Sequence, residues 1–281
     1  MAWTDMTALT GLIAWYKPET LAASYANGDP IDTWADSSGN SRDLTGTTTT
    51  RPLAAASAIN GYMAADFDGT DAKLWSSSFS VNHEPYHFYV VTQIDVYKSY
   101  NQFLCIDDDP AAPSYIGGWP HMFAYPDGSI GCFIDASSFY KTEDTMAGDQ
   151  GLAVGTPTII SASSFLYDES STEAHTRISM NGGIAGSGKG TMAASGTGYI
   201  GLGVAGVSSA LDGKIVEAII TKGQGRGVDT PWIEGYLADK YAITLADGHL
   251  FKNAAPENAP TTYNATGGAT LASDARIERL K

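Results

Sequence analysis

The stretch from Leu211 to Leu245 constrains the fold more than any other part of this sequence. Its first half, residues 214–221, is apolar and β-branched, which predicts a strand. Alternation along this strand predicts that Val216, Ala218 and Ile220 share one buried face. A glycine-rich turn, residues 223–227, then separates the strand from the segment that follows.

That following segment is the one convincing helix of the chain, near residues 230–241. Pro231 is favoured in a first helical turn, and Thr230 before it is a candidate N-cap. The side chains of one face form an apolar stripe, made by Trp232, Ile233, Tyr236 and Leu237. A strand followed by a single helix, in a chain otherwise rich in turn residues, indicates a β protein that the helix covers at one end.

About a dozen short strands are predicted in the rest of the chain. The strongest is 87–94 (HFYVVTQI), a continuous apolar run typical of a central strand covered on both faces. Residues 126–128 (PDG) and 181–182 (NG) are hairpin turn signals. Because no strand–helix–strand alternation is present, the pattern predicts an all-β, antiparallel two-sheet sandwich over residues 1–248.

The last segment, residues 249–281, differs in character from the rest. It carries four Lys or Arg and three acids, a net charge of +1. Residues 1–248 therefore have a net charge of −16, and the two parts sum to the −15 of the whole chain. It is either a frayed terminus or an arm that orders on a partner. The second hypothesis depends on apolar side chains that a linker does not need: Phe251, Tyr263, Leu271, Ile277 and Leu280.

Charge and composition exclude several classes of function. The net charge is −15, with 16 basic and 31 acidic residues, which disfavours binding to nucleic acid or to an anionic membrane surface. The N-terminal residues show no basic segment before an apolar run, and no stretch approaches the ~20 apolar residues of a membrane span. Two cysteines, Cys105 and Cys132, are flanked by apolar residues, which favours buried thiols over a disulfide.

Several short motifs, in order through residues 10–245, resemble the concanavalin A-like lectin/glucanase superfamily, and in particular its laminin-G-like jelly-roll domains of the kind found in phage virion proteins. The resemblance is carried by LIAWY at 12–16, WADSSGN at 34–40, RP at 51–52, NG at 60–61, FDG at 67–69, ISMNG at 178–182, YIG at 199–201, LDGKIVE at 211–217 and GYLADKY at 235–241. It implies a jelly-roll sandwich with a C-terminal extension. One departure is Ala242, where the family commonly ends the helix with glycine.

Glucanases of this superfamily carry carboxylates at alternate positions of one strand, and retaining chemistry needs a pair about 5–5.5 Å apart. No strand in this sequence shows acids at i, i+2 and i+4. Glu217 stands alone on its strand, so we expect a structural or solvated carboxylate there. The resemblance also implies a calcium site, for which Asp107, Asp108 and Asp109 are the candidates; the alternative is a solvated acidic loop.

A ligand-binding surface is predicted near residues 115–127 (YIGGWPHMFAYPD). Sugars stack on aromatic rings, and rings near turns also make protein contacts. The candidate residues are Tyr115, Trp119, His121 and Tyr125. The alternative is that Trp119 folds into a small core of its own loop, and the remaining patterned tryptophans, Trp75 among them, are expected in the main core.

These observations predict a non-enzymatic structural or decoration protein of a phage virion, located in the head or tail, that displays a lectin-like domain for adhesion to the host. A carbohydrate-binding module is the alternative, and a glycan hydrolase or lyase is a third hypothesis. The expected partners are other virion proteins, cell-surface glycans, or copies of this chain in a homo-oligomer joined through residues 249–281. The expected location is the virion, assembled in the host cytoplasm.

Overall fold

The computed structural model describes residues 5–82, 84–98, 100–110, 120–135, 138–141, 151–166, 173–191, 195–203, 210–223 and 229–253. Two antiparallel β-sheets of eight and nine strands, which we call sheet A and sheet B, pack face to face. The predicted all-β, two-sheet antiparallel sandwich is therefore confirmed.

Sheet A contains, in spatial order, β15 (Gly183–Thr191), β14 (Glu173–Met180), β13 (Thr158–Leu166), β8 (Tyr86–Ile94), β17 (Asp212–Lys222), β5 (Tyr62–Asp68) and β4 (Leu53–Ile59), with β1 (Leu12–Tyr16) also paired to β17. Sheet B contains β12 (Ser138–Lys141), β11 (Ile130–Asp135), β10 (His121–Ala124), β9 (Asn101–Asp107), β16 (Gly196–Leu202), β6 (Leu74–Trp75), β3 (Leu44–Thr45) and β2 (Thr33–Trp34), with β7 (Phe79–Val81) also paired to β16.

Two apolar clusters stabilise this arrangement. The larger lies between the sheets and includes Phe88 and Ile220 of sheet A and Ile106 of sheet B. The smaller lies on the other face of sheet A, under helix α2 (Thr230–Tyr241), where Ile233 and Leu237 are buried. Full burial of each such side chain contributes about 1.5–3 kcal/mol. The molecule is thus layered as helix, sheet A and sheet B. No described helix covers the face of sheet B that points away from sheet A.

Helix α2 confirms the predicted helix near residues 230–241, but its N-cap lies one residue before the predicted Thr230. Asp229 is the N-cap, and Pro231 lies in the first turn as predicted. The Thr230 hydroxyl lies 2.9 Å from the Tyr89 hydroxyl and 2.8 Å from that of Ser163, so it anchors the helix to sheet A. The helix ends at Ala242 with a φ of 51°, a left-handed conformation that costs about 1 kcal/mol for a residue with a side chain.

Two local predictions are corrected by the structure. A second helix, α1 (Pro18–Ser24), follows β1; Pro18 lies in its first turn, and its Leu21 side chain is buried. A register shift between Ile215 and Glu217 places Val216 in the cluster under α2, whereas Ala218 and Ile220 face sheet B. A bulge inserts one extra residue into a strand. The side chains before the bulge therefore point to the opposite face of the sheet from the one that unbroken alternation predicts.

The predicted turn at 181–182 is confirmed. Asn181 and Gly182 both have positive φ, 46° and 74°, as the two-residue turn that joins twisted strands requires. The WADSSGN motif also has a structural role. Asp36 accepts hydrogen bonds from the backbone N–H of Trp15 at 3.0 Å and of Ser38 at 2.8 Å, so it ties its loop to β1.

Residues 249–253 pack against α2. His249 Nε2 lies 3.1 Å from Glu234 Oε2, and the Phe251 and Trp232 ring centroids are 4.7 Å apart. Residues 254–281 lie outside the described residues, including Tyr263, Leu271, Ile277 and Leu280. The division at residue 248 and the partner-binding arm therefore stay predictions. Within the described part of the chain, neither helix has the length and apolar character needed to cross a membrane.

Candidate functional site

The outer face of sheet B, which points away from sheet A, brings polar and aromatic side chains together. In β9, Leu104 and Ile106 enter the core between the sheets, so Cys105 and Asp107 point outward. Residues directly opposite on neighbouring strands share a face. The register therefore assigns to the outer face the pairs Gln102–Phe123, Cys105–His121, Cys105–Gly201, Gly201–Trp75 and Asp107–Tyr199.

One row across this face runs through Trp75, Gly201, Cys105 and His121, one residue from each of four neighbouring strands. With about 4.8 Å between strands, the two ends of the row are roughly 14 Å apart. Trp75 packs against Cys105, with Tyr199 beside them. The indole reaches across because Gly201, which lies between them, has no side chain.

His121 lies between two polar side chains of β9. Gln102 Nε2 donates a hydrogen bond to His121 Nδ1, so Nδ1 is the acceptor and Nε2 carries the ring proton. His121 Nε2 faces Asp107 Oδ2 at 3.4 Å. Asp107 is fully buried and also accepts the backbone N–H of Asp109 at 3.1 Å. The three side chains form a polar group, Gln102–His121–Asp107, within one face of a sheet.

His121 Nε2 and Trp75 Nε1 are donors on this face that have no hydrogen-bond acceptor among the described residues. His121 does contact Asp107, but 3.4 Å is longer than the 2.7–3.2 Å of a good N–H···O bond. The two side chains are only 1% and 9% exposed. A buried donor without an acceptor costs about 1–3 kcal/mol, so these two N–H groups leave an energetic deficit on this face.

Aromatic rings continue the face along the same two strands. The ring centroids of Tyr100, Phe123 and Tyr125 are 5.2–5.6 Å apart. Tyr100 is 38% exposed and presents this group to solvent. Gly131 on β11 makes room for it, because a Cβ there would lie 2.6 Å from Phe123 Cζ. Burial, with the nearby Tyr100 and Asp127, raises the pKa of Tyr125, which keeps its hydroxyl protonated.

Cys105 and Cys132 are both buried thiols that do not form a disulfide with each other, as the sequence predicts. Burial raises the pKa of the Cys105 thiol well above its ordinary value, and the Asp107 carboxylate raises it further. Because the thiolate is the nucleophile, Cys105 is not activated for covalent catalysis, although it lies directly opposite His121.

The structure brings together part of the predicted site. His121 and Tyr125 lie on the outer face of sheet B, whereas Tyr115 and Trp119 fall outside the described residues. Asp107 turns toward His121, but Asp108 and Asp109 are exposed. In the ranges that the structure describes, no group of three or more side chains is arranged to hold a metal ion, so the calcium site stays a prediction without geometric support.

Sequence reasoning missed five residues of the site, which are Trp75, Tyr100, Gln102, Phe123 and Tyr199. Trp75 was expected in the main core, but its neighbour Leu74 enters the core and Trp75 therefore faces outward. Neighbouring residues of a strand point to opposite faces, so recognising the two-residue strand β6 would have predicted that Leu74 and Trp75 lie on different faces of the sheet. Gln102 and Tyr199 carry no signal of their own, because only the pairing of β9 with β10 and β16 brings them into the site.

Glu217 has the structural role that the sequence predicts. It is fully buried under α2 and accepts hydrogen bonds from Trp15 Nε1 at 2.6 Å and from Tyr236 and Tyr241. Lys240 Nζ adds an ion pair at 2.8 Å. Burial and the nearby Glu217 charge raise the pKa of both tyrosines, so both remain donors to this carboxylate.

Neither a protein-family model nor a curated protein matches this sequence. Solved structures do share its fold. Domain 4 of an extracellular GH43 arabinanase from Geobacillus stearothermophilus, in complex with arabinotriose, has a TM-score of 0.52 and 16% identity, and the match covers 75% of this chain and 92% of that chain. Two GH54 α-L-arabinofuranosidase structures have TM-scores of 0.54 and 0.58, with 14% and 12% identity over 75% and 85% of this chain. The match spans only 51% and 61% of those two enzyme chains.

These similarities correct the functional prediction. The prediction of a non-enzymatic virion protein is wrong, because the solved structures that share the fold come from glycan-processing enzymes and none of the three is a virion protein. Identities of 12–16% establish a common fold only. The chain is thus a jelly-roll-like two-sheet sandwich whose fold is shared with parts of arabinan- and arabinoside-cleaving proteins.

Proposed function

We propose that this protein binds a glycan on the outer face of sheet B as part of glycan processing. The observation that carries this proposal is a continuous strip of aromatic and polar side chains along β9 and β10. It runs from Tyr100 at one end to Asp107 at the other. Seven residue steps of about 3.3 Å make the strip roughly 23 Å long, which is enough for a short oligosaccharide.

The chemistry of the strip suits a sugar. Aromatic rings stack on the apolar faces of sugar rings, and a few fixed polar groups then orient the hydroxyls. Tyr100 supplies a partly exposed ring that packs against the rings of Phe123 and Tyr125. The arabinotriose bound by a domain of the same fold supports arabinan-derived oligosaccharides as the first ligands to test.

The test is calorimetric titration of the protein with arabinotriose and with a panel of plant and bacterial polysaccharide fragments. Saturable binding is expected for at least one ligand. Tyr100→Ala should weaken it at least fivefold, about 1 kcal/mol, because the exposed stacking surface is lost. The matched control is Ile184→Ala, which removes an exposed apolar side chain on an edge strand of sheet A and should leave affinity unchanged.

Release of reducing ends from the same panel measures cleavage. The described strands β6, β9, β10 and β16 supply one carboxylate, Asp107, whereas double-displacement chemistry uses two. The absence of saturable binding across the panel would contradict the proposal, as would an equal loss of affinity in Tyr100→Ala and Ile184→Ala. The predicted partners, oligomeric state and location stay predictions.

A further inference from the structure

We infer that Asn60 is a site of spontaneous covalent modification, at which its side-chain amide is converted to a carboxylate and the attachment of the last turn of α2 is weakened. The inference is independent of the proposed function. It comes from comparing the three Asn-Gly pairs of the sequence, at 27–28, 60–61 and 181–182, all of which the structure describes. Because glycine has no side chain, the peptide nitrogen after the asparagine is open to attack the asparagine side chain.

The reaction needs only water and hydroxide. The Gly61 peptide nitrogen loses its proton to hydroxide and forms a bond to Asn60 Cγ. The Cγ–Nδ2 bond then breaks, and Nδ2 leaves as ammonia after it takes a proton from water. Water adds to the resulting cyclic succinimide, either at Cγ to give aspartate or at the backbone carbonyl carbon to give isoaspartate, whose main chain runs through Cβ. No group is oxidised or reduced.

Asn27 is held by hydrogen bonds on both sides of the bond that would form. Its Oδ1 accepts the backbone N–H of Ala56 at 2.8 Å. The Gly28 N–H, which contains the attacking nitrogen, donates to Ala54 O at 2.7 Å. Both hydrogen bonds must break before this nitrogen can lose its proton and reach Cγ. The fold therefore slows the reaction at this pair, although Asn27 is exposed.

Asn181 is fixed inside a packed turn. Its Oδ1 accepts the backbone N–H of Ile159 at 2.9 Å, and its own N–H donates to Ile159 O at 2.9 Å. Its carbonyl accepts the backbone N–H of Ala246 at 2.8 Å. The following Gly182 lies against the His249 ring, and both residues of the turn are only partly exposed. The side chain and the backbone of this pair are therefore both held in place.

Asn60 is held least of the three. It lies with Gly61 in the exposed two-residue turn that joins β4 to β5. Its described side-chain hydrogen bond runs from Nδ2 to Lys240 O and is 3.2 Å long, whereas those of the other two asparagines are 2.8 and 2.9 Å. No described atom beyond the chain neighbours lies within 4 Å of the position that a Cβ on Gly61 would occupy. The turn can therefore bring the Gly61 nitrogen to Asn60 Cγ with the loss of one long hydrogen bond.

The same hydrogen bond gives the modification its structural effect. Lys240 O is one of the last four carbonyls of α2, which have no partner N–H within the helix. The Asn60 amide donates to it, whereas the carboxylate of either product can only accept. The new negative charge also lies beside the negative end of the helix dipole. Modification therefore removes a contact that ties the end of α2 to the β4–β5 turn.

Asn60→Asp reproduces the aspartate product. It should lower the melting temperature by about 2–4 °C, since the donor to Lys240 O is lost and a charge is added at the helix end. The matched control is Asn27→Asp, which keeps an acceptor for the Ala56 N–H and should leave the melting temperature unchanged. Differential scanning calorimetry measures both. Equal melting temperatures for the wild type and Asn60→Asp overturn the effect on α2.

The reaction itself is measured by peptide mapping with mass spectrometry, on the wild-type full chain stored in mildly alkaline buffer. In the folded chain, Asn60 should form aspartate and isoaspartate at least about fivefold faster than Asn27 or Asn181, because hydrogen bonds that must break slow the other two. The same incubation in concentrated urea is the control, where the three rates should agree within about twofold because the fold no longer holds any side chain. Equal or faster reaction at Asn27 or Asn181 in the folded chain overturns the inference, as does an unchanged fivefold preference in urea.

Discussion

The two outer faces of the sandwich each carry a buried carboxylate and a tryptophan N–H, and they differ in whether the tryptophan N–H has an acceptor. On sheet A, Glu217 accepts from Trp15, Tyr236 and Tyr241 and pairs with Lys240. On sheet B, Asp107 faces His121 at 3.4 Å. Both carboxylates are fully buried. On the described part of sheet B, however, the N–H groups of Trp75 and His121 lack acceptors.

Helix α2 accounts for the difference. It carries Tyr236, Lys240 and Tyr241, which are three of the four donors to Glu217. Three neutral donors and a cation offset the desolvation of this buried charge, so the Glu217 carboxylate is fully paired within the fold. Sheet B has no described helix over it, and the N–H groups of Trp75 and His121 have no acceptor among the described residues. The comparison teaches that a fully paired buried carboxylate stabilises the fold, whereas buried N–H groups without acceptors reduce that stability.

The largest effect is expected from Glu217→Ala. Loss of this carboxylate leaves Trp15, Tyr236, Tyr241 and Lys240 without their common acceptor, which should cost about 3–5 kcal/mol of the free energy of unfolding. Urea denaturation measures it. The control is Glu19→Ala, which removes a more exposed partner of the same Lys240, 3.0 Å away, and should cost under about 1 kcal/mol. Similar losses in both variants would show that the buried Glu217 network contributes no more to stability than the more exposed Glu19–Lys240 ion pair.

A matched tryptophan pair tests the comparison directly. Trp15→Phe and Trp75→Phe remove the same atoms, but only the Trp15 N–H donates to a described carboxylate. Trp15→Phe should therefore cost about 1.5–3 kcal/mol more than Trp75→Phe in the free energy of unfolding without ligand. Equal costs would mean that the Trp75 N–H already has an acceptor, and the contrast between the two faces would disappear.

A smaller effect is expected at alkaline pH from the two thiols. Burial raises the pKa of Cys132 to about 12 and that of Cys105 well above its ordinary value. The folded state then keeps its protons while the unfolded state ionises above about pH 8.5. Stability is therefore full below that pH and falls as pH rises, by about 1.4 kcal/mol per pH unit for each thiol.

Urea denaturation between pH 8 and 10 measures this slope, and Cys132→Ala should reduce it by about half. Cys105 lies on the outer face of sheet B, whereas Cys132 lies in the core between the sheets. Rapid reaction of native Cys105 with a thiol reagent would show that solvent penetrates the outer face more deeply than its burial indicates.

Local sequence signals succeeded where chemistry within a few residues decides the structure. The Asn181-Gly182 turn follows from the positive φ that those residues tolerate, and α2 follows from Pro231 and its apolar stripe. The same reasoning missed α1 because its seven residues carry one clear signal, Pro18. It also misplaced Val216, because a bulge depends on how β17 pairs with β8, which no single strand encodes.

The candidate site divides in the same way. His121, Tyr125 and Asp107 could be named from the sequence as polar or aromatic residues near turns. The sequence assigned them to separate ligand and calcium sites, because only the pairing of β9 with β10 shows that all three share one face. The virion function was inferred from a resemblance in fold. That prediction was wrong because a jelly-roll-like sandwich does not specify what the protein binds.

By itself, the sequence determined the class of this protein: turn residues and period-two alternation require many short antiparallel strands, and one amphipathic segment requires one covering helix. The tertiary structure alone decided which polar groups meet. Strand pairing places Trp75, Gln102, Asp107 and His121 side by side although up to 46 residues separate them in the chain. Side chains on neighbouring strands interact across about 5 Å whatever their separation in sequence, so the site exists only once both sheets have formed.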